Sequence, residues 1–530
     1  MKTFCRILSA LLVALMLVTA FAACNGEKTK APESKPSAGG EDTSAPEVDD
    51  KKPVIDKTFN GQVIKFAING EGLNSRSIDL GEEDDPKYEV NAQVSRRNAQ
   101  VEEELKVDIE LSYVGPMQGF FGEMQPILAS ELYVYDVLGL YQYFDLGLAL
   151  GDTVGSFYNL LDMPEGVDNY LNLDASYWSR SLLDSLAYKD VAFFVTGDLN
   201  QSYISTMFVS YVNQVMWSEY ADRIAACEHS GGYSDIYDIV NNGYWTLDLW
   251  MELAQMAYQD DGDNISNYTD QAGFMTYDEQ LNNIMVDMLI AGSNIRYSKL
   301  DGEGTPKVAI NTTKNNEFYN KLYKLLCESK TVTIPWLGGD DEDSELYILD
   351  IFAEGNVLLN VNTLFGAEKY LSNMQKDFYV MPLPMFNRDQ FKPDTPSKGY
   401  TTQLGDSVSQ YAICTAIGDE RLPGVTATLE LMAYYSEKWV TPAYYETALK
   451  ERYTRDPRNP EMIDMIKEGI YTDFVLIWSG KLDNITWNWR QHFTEKGKID
   501  NNLRTWDRNV TGKLNGSLLE EIETAFWVEK

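Results

Sequence analysis

GQVIKFAI (61–68) is a near-continuous apolar run of strand length, and the elements on its C-terminal side decide the fold. In VNAQVSRRNAQVEEEL (90–105), Val90, Val94, Val101 and Leu105 recur on one helical face, and VDIELSYV (107–114) then alternates as a strand does. YDVLGLYQY (135–143) supplies another buried strand. This βαβαβ order, with strands apolar along their whole length, predicts an α/β fold built on a parallel sheet covered on both faces. Ligands of such sheets sit beyond the carboxyl ends of the strands, and Tyr141, Gln142 and Tyr143 stand at one such end.

Towards the N-terminus the chain reads as an address and a leash. Lys2 and Arg6 precede an apolar run from Ile7 to Ala23, and Ala22 and Ala23 are the small residues a signal peptidase accepts, so residues 1–23 are expected to be a signal peptide. Small residues directly before Cys24 resemble a bacterial lipobox, with Phe21 where Leu is usual. The resemblance implies lipidation at Cys24 and an anchor in the cell membrane, on its extracytoplasmic face, through lipid only. Residues 24–57 carry the lipidated cysteine and a Lys-, Glu-, Pro-, Ser- and Gly-rich tether too poor in apolar groups to fold. As a coil, roughly thirty such residues span on the order of 30 Å.

Charge and rare residues narrow the function. The formal charge is −37, and loss of Lys2 and Arg6 with the signal takes it to −39, which disfavours nucleic acid and anionic lipid as partners. Beyond Cys5 and Cys24, the cysteines are Cys227, Cys327 and Cys414, compatible with one disulfide or with free thiols. The two histidines, His229 and His492, exclude a His-rich zinc centre, and neither lies in a recognisable nucleophile motif. No metal and no cofactor are expected. The loop QDDGDNISNYTD (259–270) fails as an EF-hand, because aligning Gly262 to the sixth position puts Ala257 at the first and Gln259 at the third. It reads as a solvated turn, with an irregular calcium loop as the alternative.

In the middle of the chain, VAFFVTGDL (191–199) and MFVSYVN (207–213) read as strands, and NNGYWTLDLWMELAQMA (241–257) announces a helix. There Thr246 is placed to N-cap, Asp248 favours the helix N-terminus, and Trp245 and Trp250 form a hydrophobic staple that accounts for both as packing residues. Trp178, at helical spacing from Leu182, is also read as structural.

ILDIFAEGNVLLNVNT (348–363), KDFYVMPLPMF (376–386), the segment 425–466 and the earlier GYWTLDLW (243–250) together resemble, in order, the sugar-type extracellular solute-binding lipoproteins of bacterial ABC importers. The resemblance runs from about Gly61 to the C-terminus. It implies a two-lobed periplasmic-binding-protein-like fold of type II, maltose-binding-like, with crossing strands and solute held in the interlobe cleft. On it, lobe one is expected at 58–205 plus 384–438 and lobe two at 206–383 plus 439–530, with crossings near Thr206, Pro384 and Trp439. The implied partners of this expected monomer are a carbohydrate, an oligosaccharide, and the permease subunits of an ABC transporter.

Sugars present flat C–H faces and a rim of hydroxyls, so their sites pair aromatic platforms with Asp, Asn and Arg. By position the candidates are Tyr141, Asp198, Tyr203, Tyr400, Asp406, Trp487 and Arg490, with packing as the alternative for each. Two other functions fit the same anchor: a cell-surface glycan receptor without a transporter, and a glycoside hydrolase. The second needs paired carboxylates that 81 acidic residues cannot exclude by count, but no catalytic signature is present.

Overall fold

The structure is a computed structural model and describes residues 51–69, 89–115, 119–277, 284–334, 347–371, 374–405, 408–445, 458–492 and 499–526. The signal segment, Cys24, the tether up to residue 50 and Asp406 lie outside the described residues. The compact unit Pro53–Lys530 carries all the elements of the fold. Its strands are β1 (Gln62–Asn69), β2 (Val107–Val114), β3 (Val137–Tyr141), β4 (Phe208–Asn213), β5 (Ala272–Tyr277), β6 (Ser298–Leu300), β7 (Pro306–Val308), β8 (Val332–Ile334), β9 (Val357–Thr363), β10 (Phe378–Met381) and β11 (Ser409–Ile413).

They build two main sheets with one shared plan. Sheet one has the order β2-β1-β3-β11 and sheet two the order β8-β5-β9-β4-β10. In sheet one β1 pairs in parallel with β2 and β3, whereas β11 runs antiparallel, Ser409 opposite Tyr141. Sheet two repeats this: β5 is parallel to β8 and β9, and β4 is antiparallel. The antiparallel strand of each sheet is the one that arrives from the other lobe. β4 comes directly from lobe one, and β11 returns from lobe two. This reciprocal exchange is the crossing-strand plan of a type II periplasmic-binding-protein-like fold. β3, β4, β5 and the edge strand β11 are buried along their whole length, as strands covered on both faces should be.

Two crossings lie side by side. Met207 bridges Leu404 antiparallel, Gly405 N–H donates to the Thr206 carbonyl at 2.8 Å, and Phe208 N–H donates to Gln403 at 3.1 Å. The second crossing therefore falls at 403–405 and not near Pro384. Pro382 and Pro384 follow directly on β10, but the segment after them stays on lobe two. Leu247 and Trp245 hold Met385 through backbone bonds, the Tyr400 hydroxyl donates to Val240, and Thr401 donates to Ala291. Trp439 likewise remains with lobe one, stacked on Tyr435 at 4.4 Å and under Arg96 of the helix Glu89–Leu105. Asn459 accepts from Tyr237 of lobe two at 2.9 Å.

Local chemistry explains the helix that covers sheet two. Thr246 Oγ1 accepts from Leu249 N–H as N-cap of Leu247–Ala257, and the Trp245 and Trp250 rings meet edge to face at 5.4 Å. Its partner strand has Gly273 where a Cβ would stand 2.3 Å from the Ala254 carbonyl oxygen and 2.5 Å from Ala254 Cα. Both are backbone atoms, so helix and strand must separate to admit even a methyl group. Gly273→Ala is expected to cost about 1–3 kcal/mol, read as a lower urea midpoint. An unchanged midpoint would show that helix and strand have room to separate freely.

Not every apolar run became a strand. VAFFVTGDL makes isolated bridges, Val191 with Tyr188, Val195 with Tyr411 and Gly197 with Trp178, because its successive residues meet three different segments rather than one partner strand. Cys227, Cys327 and Cys414 are free thiols.

Candidate functional site

At the carboxyl end of β3 the chain turns through Gln142 and Tyr143 and meets the crossings. Gln142, Tyr143, Phe208, Gln403 and Leu404 form one wall of a cavity of about 520 Å³, and lobe two closes it with Ile284, Asp287, Leu476, Ile477, Thr486 and Arg490. Part of that space is open to solvent, so position and lining, more than volume, mark the site. The setting is the one the sheet predicts, beyond strand ends and between lobes.

The polar groups here are ordered by their neighbours. Arg490 donates through Nε to Asp287 Oδ2 at 3.0 Å, and Nη2 meets the same oxygen. Asp287 Oδ1 is buried and makes no hydrogen bond within the protein, while the Gln403 amide, on a side chain 5% exposed, lies against the Tyr471 hydroxyl. Gln410 Nε2 donates to Gln142 Oε1 at 2.9 Å. With that oxygen engaged, Gln142 offers the cavity its NH₂ group. The site thus holds one acceptor, Asp287 Oδ1, and an amide donor on Gln142. The ion pair cancels its own charge, so the cavity favours neither anion nor cation. Each orphaned buried polar group costs about 1–3 kcal/mol, a cost that a ligand carrying both donors and acceptors relieves. Tyr143, 36% exposed, is the aromatic surface at the rim, its own ring braced edge-on by Phe144 at 4.9 Å.

Of the residues singled out by sequence, Arg490 lines this cavity and Tyr141 lies directly behind it, buried at the end of β3 with its ring 5.1 Å from Phe144. Asp198 and Tyr203 are brought together elsewhere. Lys467 Nζ donates to both Asp198 oxygens at 2.8 and 3.1 Å and stands 5.7 Å from the Tyr203 ring centre, while the Tyr203 hydroxyl donates to Ser179. Burial raises the Asp198 carboxyl above its usual range despite the attraction of Lys467, and burial also raises the Tyr203 phenol. This ion pair ties lobe one to the helix Asn459–Lys467 and does not face the cavity. Tyr400 is a core residue, 1% exposed, and Trp487 sits 38% exposed on its helix, outside the cavity lining. Asp406 is not among the described residues.

Sequence reasoning missed Asp287, Gln403 and Thr486. Asp287 had a readable signal, the only charge in the helix Ile284–Gly292, IMVDMLIAG, whose other side chains are apolar. A larger groove of about 920 Å³, lined by Met124, Leu128, Leu132, Val134 and Cys414, opens at the other end of β3. It lies away from the strands' carboxyl ends and the crossings.

No protein-family model matches the chain, and no curated protein matches it by sequence. Solved structures do match in fold. The extracellular solute-binding protein from Staphylococcus aureus in complex with maltose aligns with a TM-score of 0.52 at 11% identity, over 86% of this chain and 99% of that one. The cyclic alpha-maltosyl-1,6-maltose binding protein from Arthrobacter globiformis gives 0.52 at 12%, over 86% and 100%. UgpB from Mycobacterium tuberculosis in complex with glycerophosphocholine gives 0.52 at 13%, over 87% and 100%. The fold is therefore that of the two-lobed solute-binding proteins. At these identities the likeness is one of fold alone.

Proposed function

We propose that the protein is a membrane-anchored extracellular binding protein that captures a neutral carbohydrate between its lobes and delivers it to an ABC importer. The observation that carries this reading is the self-neutralised Arg490–Asp287 pair in the interlobe cavity, with Asp287 Oδ1 left open as an acceptor beside the Gln142 amide. A polyol satisfies both kinds of group at once, since every hydroxyl donates and accepts. The three fold relatives are described as binding maltose, a cyclic maltosyl-maltose and glycerophosphocholine. Lipidation at Cys24, the tether that separates it from the folded unit and a permease partner complete the proposal.

A thermal-shift panel of mono- and oligosaccharides, with a glycerophosphodiester as comparison, tests it. A ligand at 100 times its Kd stabilises by about 2.7 kcal/mol and raises the melting temperature visibly. The cognate sugar should also shrink the radius of gyration in small-angle scattering and be recovered intact. Stabilisation by the phosphodiester alone would overturn the carbohydrate assignment, a cleaved sugar would make the protein a hydrolase, and saturation without compaction would make it a rigid receptor.

A further inference from the structure

Away from the cleft, lobe two brings three metal-ligating side chains together. His229 lies in the short turn Glu228–Ser230, which packs against the helix Leu247–Ala257. Its ring Nδ1 is 2.9 Å from Glu252 Oε1, and its backbone N–H donates to Glu252 Oε2 at 3.3 Å. Glu228 adds a second carboxylate, so that one ligand atom from each of Glu228, His229 and Glu252 lies within 4.8 Å of the other two.

The turn is held by its own interior. Ser230 is fully buried, with its Oγ on the carbonyls of Ala225 and Cys227 and accepting from Gly232 N–H. Gly231 comes next at φ +67°, where a Cβ would meet the Tyr244 ring at 2.4 Å. The backbone that carries Glu228 and His229 is therefore placed by packing, and the exposed side chains need only rotate to meet an ion. A histidine–glutamate contact on a surface is common and worth little by itself. It does not account for the second carboxylate, which is repelled by the first. A divalent cation among the three groups turns that repulsion into attraction.

We propose that Glu228, His229 and Glu252 form a binding site for one divalent transition-metal ion, matched in chemistry to zinc, with solvent completing the coordination. Zinc accepts one imidazole nitrogen with carboxylate oxygens at about 2.0–2.2 Å, a contraction that exposed side chains reach by rotation. Two neighbours define the surroundings. The Cys227 thiol lies against Glu252, and Arg223 faces the thiol. Cys227 Sγ donates to the Arg223 carbonyl at 3.5 Å, and the thiol is not one of the three grouped ligands. A single histidine suffices because carboxylates supply the remaining donors.

The test is a zinc titration of the chelator-stripped protein, followed by competition with a chromophoric chelator. One equivalent should bind with a Kd of about 10 μM or tighter, and loss of one ligand in His229→Ala or Glu252→Gln should weaken it by at least about tenfold. Both residues are surface-accessible, so each variant should keep the parent's melting temperature without zinc. Asp261→Asn, in a separate carboxylate group with Asp260 and Asp270, serves as the control and should leave zinc affinity unchanged. The proposal is overturned if the parent binds more weakly than that, if His229→Ala binds as the parent does, or if Asp261→Asn removes the uptake.

Discussion

Arg490→Ala is expected to lose carbohydrate binding by roughly 30-fold to several thousand-fold, the equivalent of about 2–5 kcal/mol for stripping one partner from a buried, hydrogen-bonded charge pair. The effect has two parts. The guanidinium is removed from the cavity wall, and Asp287, whose side chain is 15% exposed, is left as an uncompensated carboxylate facing a neutral ligand. Isothermal titration with the sugar found by thermal shift measures it. Because Arg490 and Asp287 both belong to lobe two, the variant should still fold, and its unliganded melting curve checks this. The paired change Arg490→Met with Asp287→Leu removes both charges together, so it should fold at least as well as the single variant and still not bind. Trp487→Ala provides the contrast. Its side chain lies outside the cavity lining, so binding should stay within about threefold of the parent, less than about 0.7 kcal/mol. If Arg490→Ala binds within that same factor, the interlobe cavity is not where solute sits.

Much of the fold was written in short-range pattern. β1, β2 and β3 and the helices between them arise from apolar runs of strand length and from a face of three valines and a leucine that only a helix gathers. The cap at Thr246 and the stop at Gly355, which adopts φ +90° ahead of β9, depend on the chemistry of one or two residues. The crossings were less legible. Pro382 and Pro384 announce an extended segment, but whether such a segment changes lobes depends on what it meets, here Trp245 and Leu247 of its own lobe. The crossing at 403–405 carries no marker beyond the ordinary TTQLG.

The site was legible only in part, for a related reason. With 33 Tyr and 11 Trp, an aromatic count points everywhere, and Tyr400, Trp245, Trp250 and Trp489 all proved to be core. Asp198 and Tyr203 have the right chemistry beside a crossing, yet Lys467 and Ser179 claim them from distant parts of the chain. Polar residues in apolar company were the better guide. Asp287, Gln403 and Gln410 each interrupt a buried segment, and a buried polar group lacking an internal partner, as Asp287 Oδ1 does, requires one from outside.

Glu430 shows the opposite case, a buried carboxylate whose partners are all internal, and it is expected to be among the most sensitive positions for stability. It is fully buried within the helix Leu422–Tyr435 and accepts from the Tyr177 hydroxyl, from Trp178 Nε1 at 2.8 Å and from Asn172 N–H at 3.1 Å. These donors pin the segment 172–178 to lobe one. Glu430→Ala strands all three and opens a cavity, so a loss of about 3–5 kcal/mol is expected, against about 1–2 kcal/mol for Glu430→Gln, which keeps one accepting oxygen but turns an NH₂ towards the other donors. The pH dependence has a definite sign. Burial raises the Glu430 carboxyl above its usual value, and the bonds from Tyr177, Trp178 and Asn172 pull it only part of the way back. A carboxyl raised in the folded state holds its proton more tightly there, so its contribution to stability is fully present below the unfolded value of about 4.3 and is lost as pH rises through the folded value. Glutamine does not titrate. The deficit of Glu430→Gln relative to the parent, read from urea midpoints, should therefore widen between pH 7 and pH 4.5; a deficit that narrows over that interval would mean that the three hydrogen bonds outweigh burial and lower this carboxyl instead.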